Sequence, residues 1–329
     1  MNCKEIFEAF EQLNVLVIGD VMVDTYQVGR VGRISPEAPV PVVEWESEES
    51  RLGGAANVAL NVQALGGRAF LCGVVGEDAG SSQFFSLMPK AGLSEEGLLF
   101  SKERCTTVKT RVIARSQHLI RLDKENTHDL TPVEASSFLK KVHGIIEQHE
   151  IHVCILQDYN KGVLSETIIR EVLGLMKRHC IPVTVDPKFR NFWTYQNVAL
   201  FKPNFKEVRD ATGLPLTSGI EDLKQASKML RNRLSHDCTL ITLSENGVYI
   251  DDAANGHLLP TLQRKVADVC GAGDTVIAVA SMALAIGLEL EEIALLSNLA
   301  GGQVVEKVGV VPVNKEQLRE EILAAITAA

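Results

Sequence analysis

The chain has 329 residues, 46% of them apolar and 23% charged, a composition suited to a globular protein with a sizeable core. Its net charge is −9, from 33 basic and 42 acidic residues, which argues against a nucleic-acid partner held by phosphate neutralisation. Seven scattered cysteines form no C-x-x-C pair, which speaks against a disulfide framework or zinc site and for a reducing, cytoplasmic setting. The amphipathic N-terminus lacks an apolar signal core, and the longest apolar run, Val276 to Ile286, is too short to cross a bilayer. No membrane partner is expected.

In chain order, the apolar run Val15–Ile18 predicts a first strand. Thr25–Glu46 then alternates with period two, as half-exposed antiparallel strands do. Asn57–Leu65 reads as a helix ended by Gly66-Gly67, and Ala69–Val75 as the next strand. Cys105–Asp123 alternates again, and Pro132–His149 follows a Thr131 cap as a helix. Strands at Val153–Gln157, Pro182–Val185 and Leu200–Lys202 alternate with helices at Glu166–His179 and Asn204–Thr212. A helix at Ile220–Leu234, strands at Thr239–Thr242 and Gly247–Ile250, and helices at Asp274–Ile286 and Glu291–Val305 complete the series. The βα rhythm and the continuously apolar strands predict an α/β fold with a mainly parallel central sheet between helices. The two period-two segments, roughly 25–46 and 105–123, interrupt that rhythm and predict a small inserted β lid. With no linker or repeat, a single domain over 1–329 is expected.

Ligands of open α/β sheets bind beyond the carboxyl ends of the strands. Polar residues recur there: Gly19, Asp20 and Asp24; Asp158, Tyr159, Asn160 and Lys161; Asp186 and Lys188; Asn204 and Glu207; Ser244, Glu245 and Gly247. Any one could belong to a solvated rim, whereas five strand ends together favour a site. The segment Asp268-Val269-Cys270-Gly271-Ala272-Gly273-Asp274 is sharper. Its glycines let backbone N–H groups approach a ligand, and the following helix supplies its positive end, which together make an anion hole. The same residues also suit a plain strand-to-helix turn capped by Asp274. Chemistry decides between them: a carboxylate beside bound phosphate is repelled unless it accepts a proton from an attacking hydroxyl. Asp268 either positions the turn or only caps it.

A second glycine motif, Gly53-Gly54-Ala55-Ala56-Asn57, opens a helix and could allow close approach of a polyhydroxylated ligand. Asn204 and Glu207 share a helical face, enough for an Mg²⁺ ion coordinated mostly by water and phosphate. There is no G-x-x-x-x-G-K-[ST], no dinucleotide fingerprint and no H-E-x-x-H.

These motifs, in this order over nearly the whole chain, resemble the ribokinase (PfkB-type) carbohydrate kinases. The resemblance implies a ribokinase-like three-layer sandwich and an ATP- and Mg²⁺-dependent transfer. In it Gly271, Ala272 and Gly273 form the anion hole and Asp274 is the base. It further implies that Asn204 and Glu207 help place Mg²⁺, and that Gly53, Gly54 and Asn57 contact sugar. The runs Gly19–Asp24, Arg33–Val43 (RISPEAPVPVV), Gln117–Asp123 and Asp158–Gly162 resemble a narrower group, the D-glycero-D-manno-heptose 7-phosphate kinases. That implies phosphorylation at O1 to heptose 1,7-bisphosphate, for ADP-heptose and lipopolysaccharide synthesis. Cys270 departs from that group's pattern, in which many members carry Thr.

Many relatives carry a nucleotidyltransferase domain with an H-x-G-H motif; that motif is absent here, and a kinase half without it is expected. Asp20 and Asp24 would hold sugar hydroxyls. Lys161, Arg33, Arg111, Arg115 and Arg121 are candidates for the substrate phosphate, though the last three equally suit solvated strands. Ser244, Gly247, Asp268 and Asn298 would line the nucleotide side. A homodimer through paired lids is implied. The rivals are a kinase for fructose 6-phosphate or tagatose 6-phosphate, and a non-catalytic sugar-phosphate binder.

Overall fold

A computed structural model describes residues 2–115 and 117–328. After helix α1 (Cys3–Phe10), strand β1 (Asn14–Gly19) leads into two long strands, β2 (Val21–Ile34) and β3 (Pro41–Gly54). Helix α2 (Ala55–Ala64), β4 (Arg68–Gly76), α3 (Ala79–Ala91) and β5 (Leu98–Ser101) follow. Next come β6 (Thr107–Ala114), β7 (Gln117–Lys124), α4 (Pro132–Gln148), β8 (Val153–Gln157), α5 (Glu166–Arg178), β9 (Val183–Asp186) and β10 (Leu200–Phe201). The chain continues through α6 (Phe205–Thr212), α7 (Ile220–Leu234), β11 (Cys238–Thr242), β12 (Val248–Asp251) and β13 (Gly256–Leu259). Helices α8 (Ala272–Ala285), α9 (Leu290–Val304) and α10 (Lys315–Ala328) close it.

Nine strands form one sheet in the order β13-β12-β11-β10-β9-β8-β1-β4-β5. It is parallel from β5 to β11 and antiparallel through β12 and β13. Successive β1 residues face opposite sides: Val15 and Val17 enter a core with α1, α2, α8, α9 and α10, while Leu16 and Ile18 enter one with α4, α5 and α7. That division makes three layers, as expected of strands apolar on both faces.

The other four strands form a second sheet, β3-β2-β6-β7, in which β2 and β6 are parallel neighbours. Both period-two segments lie in it, with β2 starting at Val21 and β3 running on to Gly54, beyond the 25–46 stretch. The expected strand at Gly247 begins one residue later, because Gly247 has φ +95° and a Cβ there would meet the Leu259 carbonyl oxygen at 2.0 Å. Elements outside the expected series are α1, β5 and α10, together with α3, which carries Pro89 inside it, and β13, a half-exposed edge strand without a continuous apolar run. No helix among the described residues is long and apolar enough to cross a membrane.

Candidate active site

From β1 the chain steps outward through β4 and β5, and later, from β8, through β9, β10 and β11 on the other side. The order therefore reverses between β1 and β8, where open α/β sheets hold ligands. The carboxyl ends of these strands deliver Asp20 and the run Gln157-Asp158-Tyr159, and the start of α8 delivers Asp274.

Gly271 precedes α8 in the left-handed region, φ +80°, which glycine adopts freely. Asp274 sits in the first turn and is only 2% exposed. Its Oδ2 accepts from Asn57 Nδ2 at 2.9 Å, and its Oδ1 from the Tyr159 hydroxyl at 2.7 Å and Gln157 Nε2 at 3.2 Å. Burial pushes its pKa up to about 7; the bonds from Asn57 and Tyr159 pull it down, and the Asp186 and Asp24 carboxylates add to the rise. A carboxyl poised there suits a general base at neutral pH. Ala272 N–H reaches the Val269 carbonyl at 3.4 Å, while the amides of Gly273 and Asp274 have no intrahelical carbonyl to reach and could donate to an anion there.

On one side of Asp274 lies a cavity of about 880 Å³, lined among others by Asp186, Lys188, Lys202, Asn204, Ser244, Gly247, Ala272, Gly273 and Asn298. Lys202 pairs with Asp186 at 3.0 Å, both buried. Lys188 pairs with Glu207, while Asn204 and Glu207 cap α6 reciprocally at 2.8 and 2.9 Å. Asn298 holds Thr261 and the Pro260 carbonyl. Among the described residues no three His, Cys, Asp or Glu side chains cluster as a metal site. Asn204 lines the cavity, while the Glu207 oxygens are taken by Lys188 and the Asn204 N–H, so a cation such as Mg²⁺ would be held here mostly through water and phosphate oxygens.

On the other side stands the second sheet. Asp24 and Arg111 form a buried ion pair, and a Cβ on Gly53 would lie 1.9 Å from Asp24 Oδ2. Gly53 is thus required by the packing of Asp24. Gly54, with φ +60°, turns the chain into α2. Cross-strand pairs Asp24–Lys109 and Tyr26–Arg111 share this face, with Lys109 Nζ 5.0 Å from the centre of the Tyr159 ring. Burial lowers the Lys109 pKa, and no carboxylate among the described residues lies within ion-pair distance of it.

The structure gives several sequence-predicted residues different surroundings from those expected. Both Asp20 oxygens accept backbone N–H groups, from Tyr159 at 2.8 Å, Lys161 at 3.0 Å and Val163 at 3.1 Å, so its carboxylate holds the loop after β8. Asn57 is fully buried with its amide turned to Asp274. Asp268 accepts from Cys270 N at 3.1 Å and Gly309 N at 3.0 Å, bonds that outweigh burial and keep its pKa low; it positions the turn. Lys161 pairs with Glu125 at 2.6 Å, Arg121 with Asp123 at 2.8 Å, and Arg115 lies in an exposed turn. Arg33 lies nine residues along β2 from Asp24, about 30 Å at strand rise, and is exposed.

Residues without an expected role but in the site are Gln157, Tyr159, Asp186, Lys188, Lys202 and Lys109. Tyr159, Asp186 and Lys188 are among the strand-end residues expected together to favour a site, though without a role of their own; Gln157 and Lys202, the last residues of expected strands, are not among them although their position carries the same signal. Lys109 carries no such signal, since its place depends on β2 pairing with β6 across more than 80 residues of chain.

Residues 12–317 match the pfkB family carbohydrate kinase pattern. The bifunctional protein HldE of Methylobacillus flagellatus is 39% identical over 315 residues, 96% of this chain and 64% of that protein. That of Helicobacter pylori J99 is 39% identical over 295 residues, 90% of this chain and 63% of its own length. The chain thus spans just under two thirds of these relatives. Among solved structures, phosphofructokinase-2 from Escherichia coli superposes with a TM-score of 0.78 at 19% identity, covering 96% of this chain and 99% of that one. Arabidopsis thaliana ribokinase complexed with ribose and ATP gives 0.71 at 18% identity, over 94% and 98%. Those two likenesses establish a shared three-layer fold, and the match over residues 12–317 makes the chain a member of the pfkB family of carbohydrate kinases.

Proposed function

We propose that this chain transfers the γ-phosphoryl group of ATP to O1 of D-glycero-D-manno-heptose 7-phosphate, giving ADP and heptose 1,7-bisphosphate for ADP-heptose synthesis. The observation that carries the transfer is Asp274: a buried carboxyl with a pKa of about 7, in the first turn of a helix, between the cavity and the second sheet. The sugar is chosen on the RISPEAPVPVV run at 33–43 and on the similarity to the HldE proteins.

In this reading ATP occupies the 880 Å³ cavity, with Ser244, Gly247 and Asn298 on its nucleotide side and Asn204 toward the phosphates, Glu207 standing behind them through its pair with Lys188. When bound, Mg²⁺ would neutralise and orient the β- and γ-phosphates. Asp274 takes the proton of the O1 hydroxyl as the new O–P bond forms in line with the bond breaking to ADP. The proton later leaves to solvent. Amides of the Gly271–Gly273 turn and of Asp274 meet the transferring group; one such donor is typically worth 10²–10³ in rate, about 3–4 kcal/mol. Lys202 and Lys188 add positive charge on the cavity side. Asp24, Gly53 and Arg111 face the sugar, and Lys109 joins Arg111, Lys161 and Arg121 as a candidate cation for the 7-phosphate.

The same proposal includes a homodimer through the second sheet acting as a lid, in a cytoplasmic setting. It is supported by apolar side chains exposed on the two edge strands of that sheet, Trp45 at 67% on β3 and Ile120 at 54% and Leu122 at 55% on β7, which a second copy would cover. ADP release over a panel of phosphosugars tests the substrate, and faster turnover of fructose 6-phosphate or tagatose 6-phosphate than of the heptose would overturn it. Sedimentation of the purified chain tests the dimer.

A further inference from the structure

A carboxylate has two oxygens, each with room for two hydrogen bonds. On Asp274 this capacity is unevenly used. Oδ1 is filled by the Tyr159 hydroxyl at 2.7 Å and Gln157 Nε2 at 3.2 Å, whereas Oδ2 accepts only Asn57 Nδ2, at 2.9 Å. Tyr159 is held firmly enough to keep its bond. Its backbone N–H is fixed by Asp20 at 2.8 Å, and its ring centre lies 5.0 Å from Lys109 Nζ and 5.8 Å from Lys188 Nζ. Gln157 Nε2 reaches Asp186 Oδ2 as well, at 3.2 Å, so one amide joins two carboxylates.

We propose that Tyr159 is a positioning residue: together with Gln157 it occupies Oδ1 of Asp274, assigns proton acceptance to Oδ2, and keeps the base ionised at the pH of turnover. The inference rests on the reading of Asp274 as the base. The charged groups around that carboxyl come from every side. Asp186 stands at the end of β9 with Lys202 beside it, Lys188 follows β9, and Asp24, Lys109 and Arg111 lie on the second sheet's side of it. Asp186 and Asp24 oppose ionisation, and burial opposes it more. Neutral donors are what offset them, and the shortest is the Tyr159 hydroxyl. Burial and the Asp274 carboxylate push the Tyr159 phenol well above its ordinary range, so it stays protonated and donates throughout the working pH range.

The test is the pH dependence of kcat/KM for the parent, Tyr159→Phe, Gln157→Met and Asp274→Asn. A hydrogen bond to a charged group is worth enough that its loss should move the acid limb of Tyr159→Phe upward by about one to two pH units. At pH 7, where the parent base is about half ionised, this variant should be roughly 5- to 50-fold slower, and above the shifted limb it should return to within a few-fold of the parent. The KM for ATP should change far less than kcat/KM at pH 7, because phenylalanine keeps the ring that lines the cavity. Gln157→Met, lacking the longer bond on the same oxygen, should move the limb the same way by less, and it serves if Tyr159→Phe does not fold. A uniform loss at every pH with the limb in place would overturn the inference, since a merely structural role predicts that result. If Asp274→Asn keeps turnover within a few-fold of the parent, the base reading fails and this inference with it. If Asp274→Asn is inactive and neither limb moves, only this inference fails.

Discussion

The turn before α8 offers a graded perturbation through two glycines set two residues apart. Gly271 has φ +80°, and a Cβ there would come within 2.9 Å of Asn57 Nδ2 and 3.4 Å of Val310 Cγ1. Alanine at 271 therefore carries a left-handed backbone cost of about 1–2 kcal/mol. It also presses on the amide that holds Asp274 Oδ2. Moving that amide by a few tenths of an ångström misaligns the base, and misplacements approaching 1 Å cost roughly 10²-fold in rate. Gly273 differs: a Cβ there would meet Asp186 Oδ2 at 3.5 Å and Lys202 Nζ at 3.8 Å, both ordinary contacts, and it faces the cavity. Gly271→Ala should thus lower kcat about 10- to 100-fold and lower Tm by a few degrees. Gly273→Ala should leave Tm within about a degree and raise the KM for ATP, because the methyl intrudes where phosphate approaches. Steady-state ADP release and a thermal melt on the same preparations measure both. A Gly271→Ala enzyme with kcat within twofold of the parent would refute the geometric reasoning.

Asp274 carries a second consequence, for stability. Its folded pKa of about 7 lies above the ordinary carboxylate value, so the folded state binds the proton more tightly and loses stability as pH rises from about 4 through about 7. Asp274→Asn removes that titration while abolishing turnover; its Tm advantage over the parent should grow across this window and level off above it, as melts from pH 5 to pH 8.5 would show. Gly53→Ala should unseat the buried Asp24–Arg111 pair, because its Cβ lies 1.9 Å from Asp24 Oδ2. Breaking such a pair costs about 3–5 kcal/mol, a loss visible in denaturant titration. Glu207→Gln should weaken the pair with Lys188 and raise the Mg²⁺ concentration for half-maximal rate about tenfold, measured by Mg²⁺ titration at fixed ATP.

Much of the central sheet was legible because its strands are buried on both faces and read as short apolar runs; β8 and α7 fall on their expected residues. Helix α3 was not, since Ser81, Ser82 and Pro89 blur its period and its cap, Asp78, lies in a loop without other signals. The glycine turn and Asp274 were legible as a local motif. What holds Asp274 was not: Asn57, Gln157 and Tyr159 lie 217, 117 and 115 residues away, and only the strand order brings them together. Asp20 and Asn57 carried signals of the right chemistry, but their polar atoms are turned inward to support the site.

The central claim is the reaction itself, and the most direct measurement is turnover of a phosphosugar panel with ATP, followed by NMR of the product. Fastest turnover of D-glycero-D-manno-heptose 7-phosphate, with the new phosphate on O1, is the predicted result. Faster turnover of a hexose 6-phosphate, or a product phosphorylated at another oxygen, would contradict it.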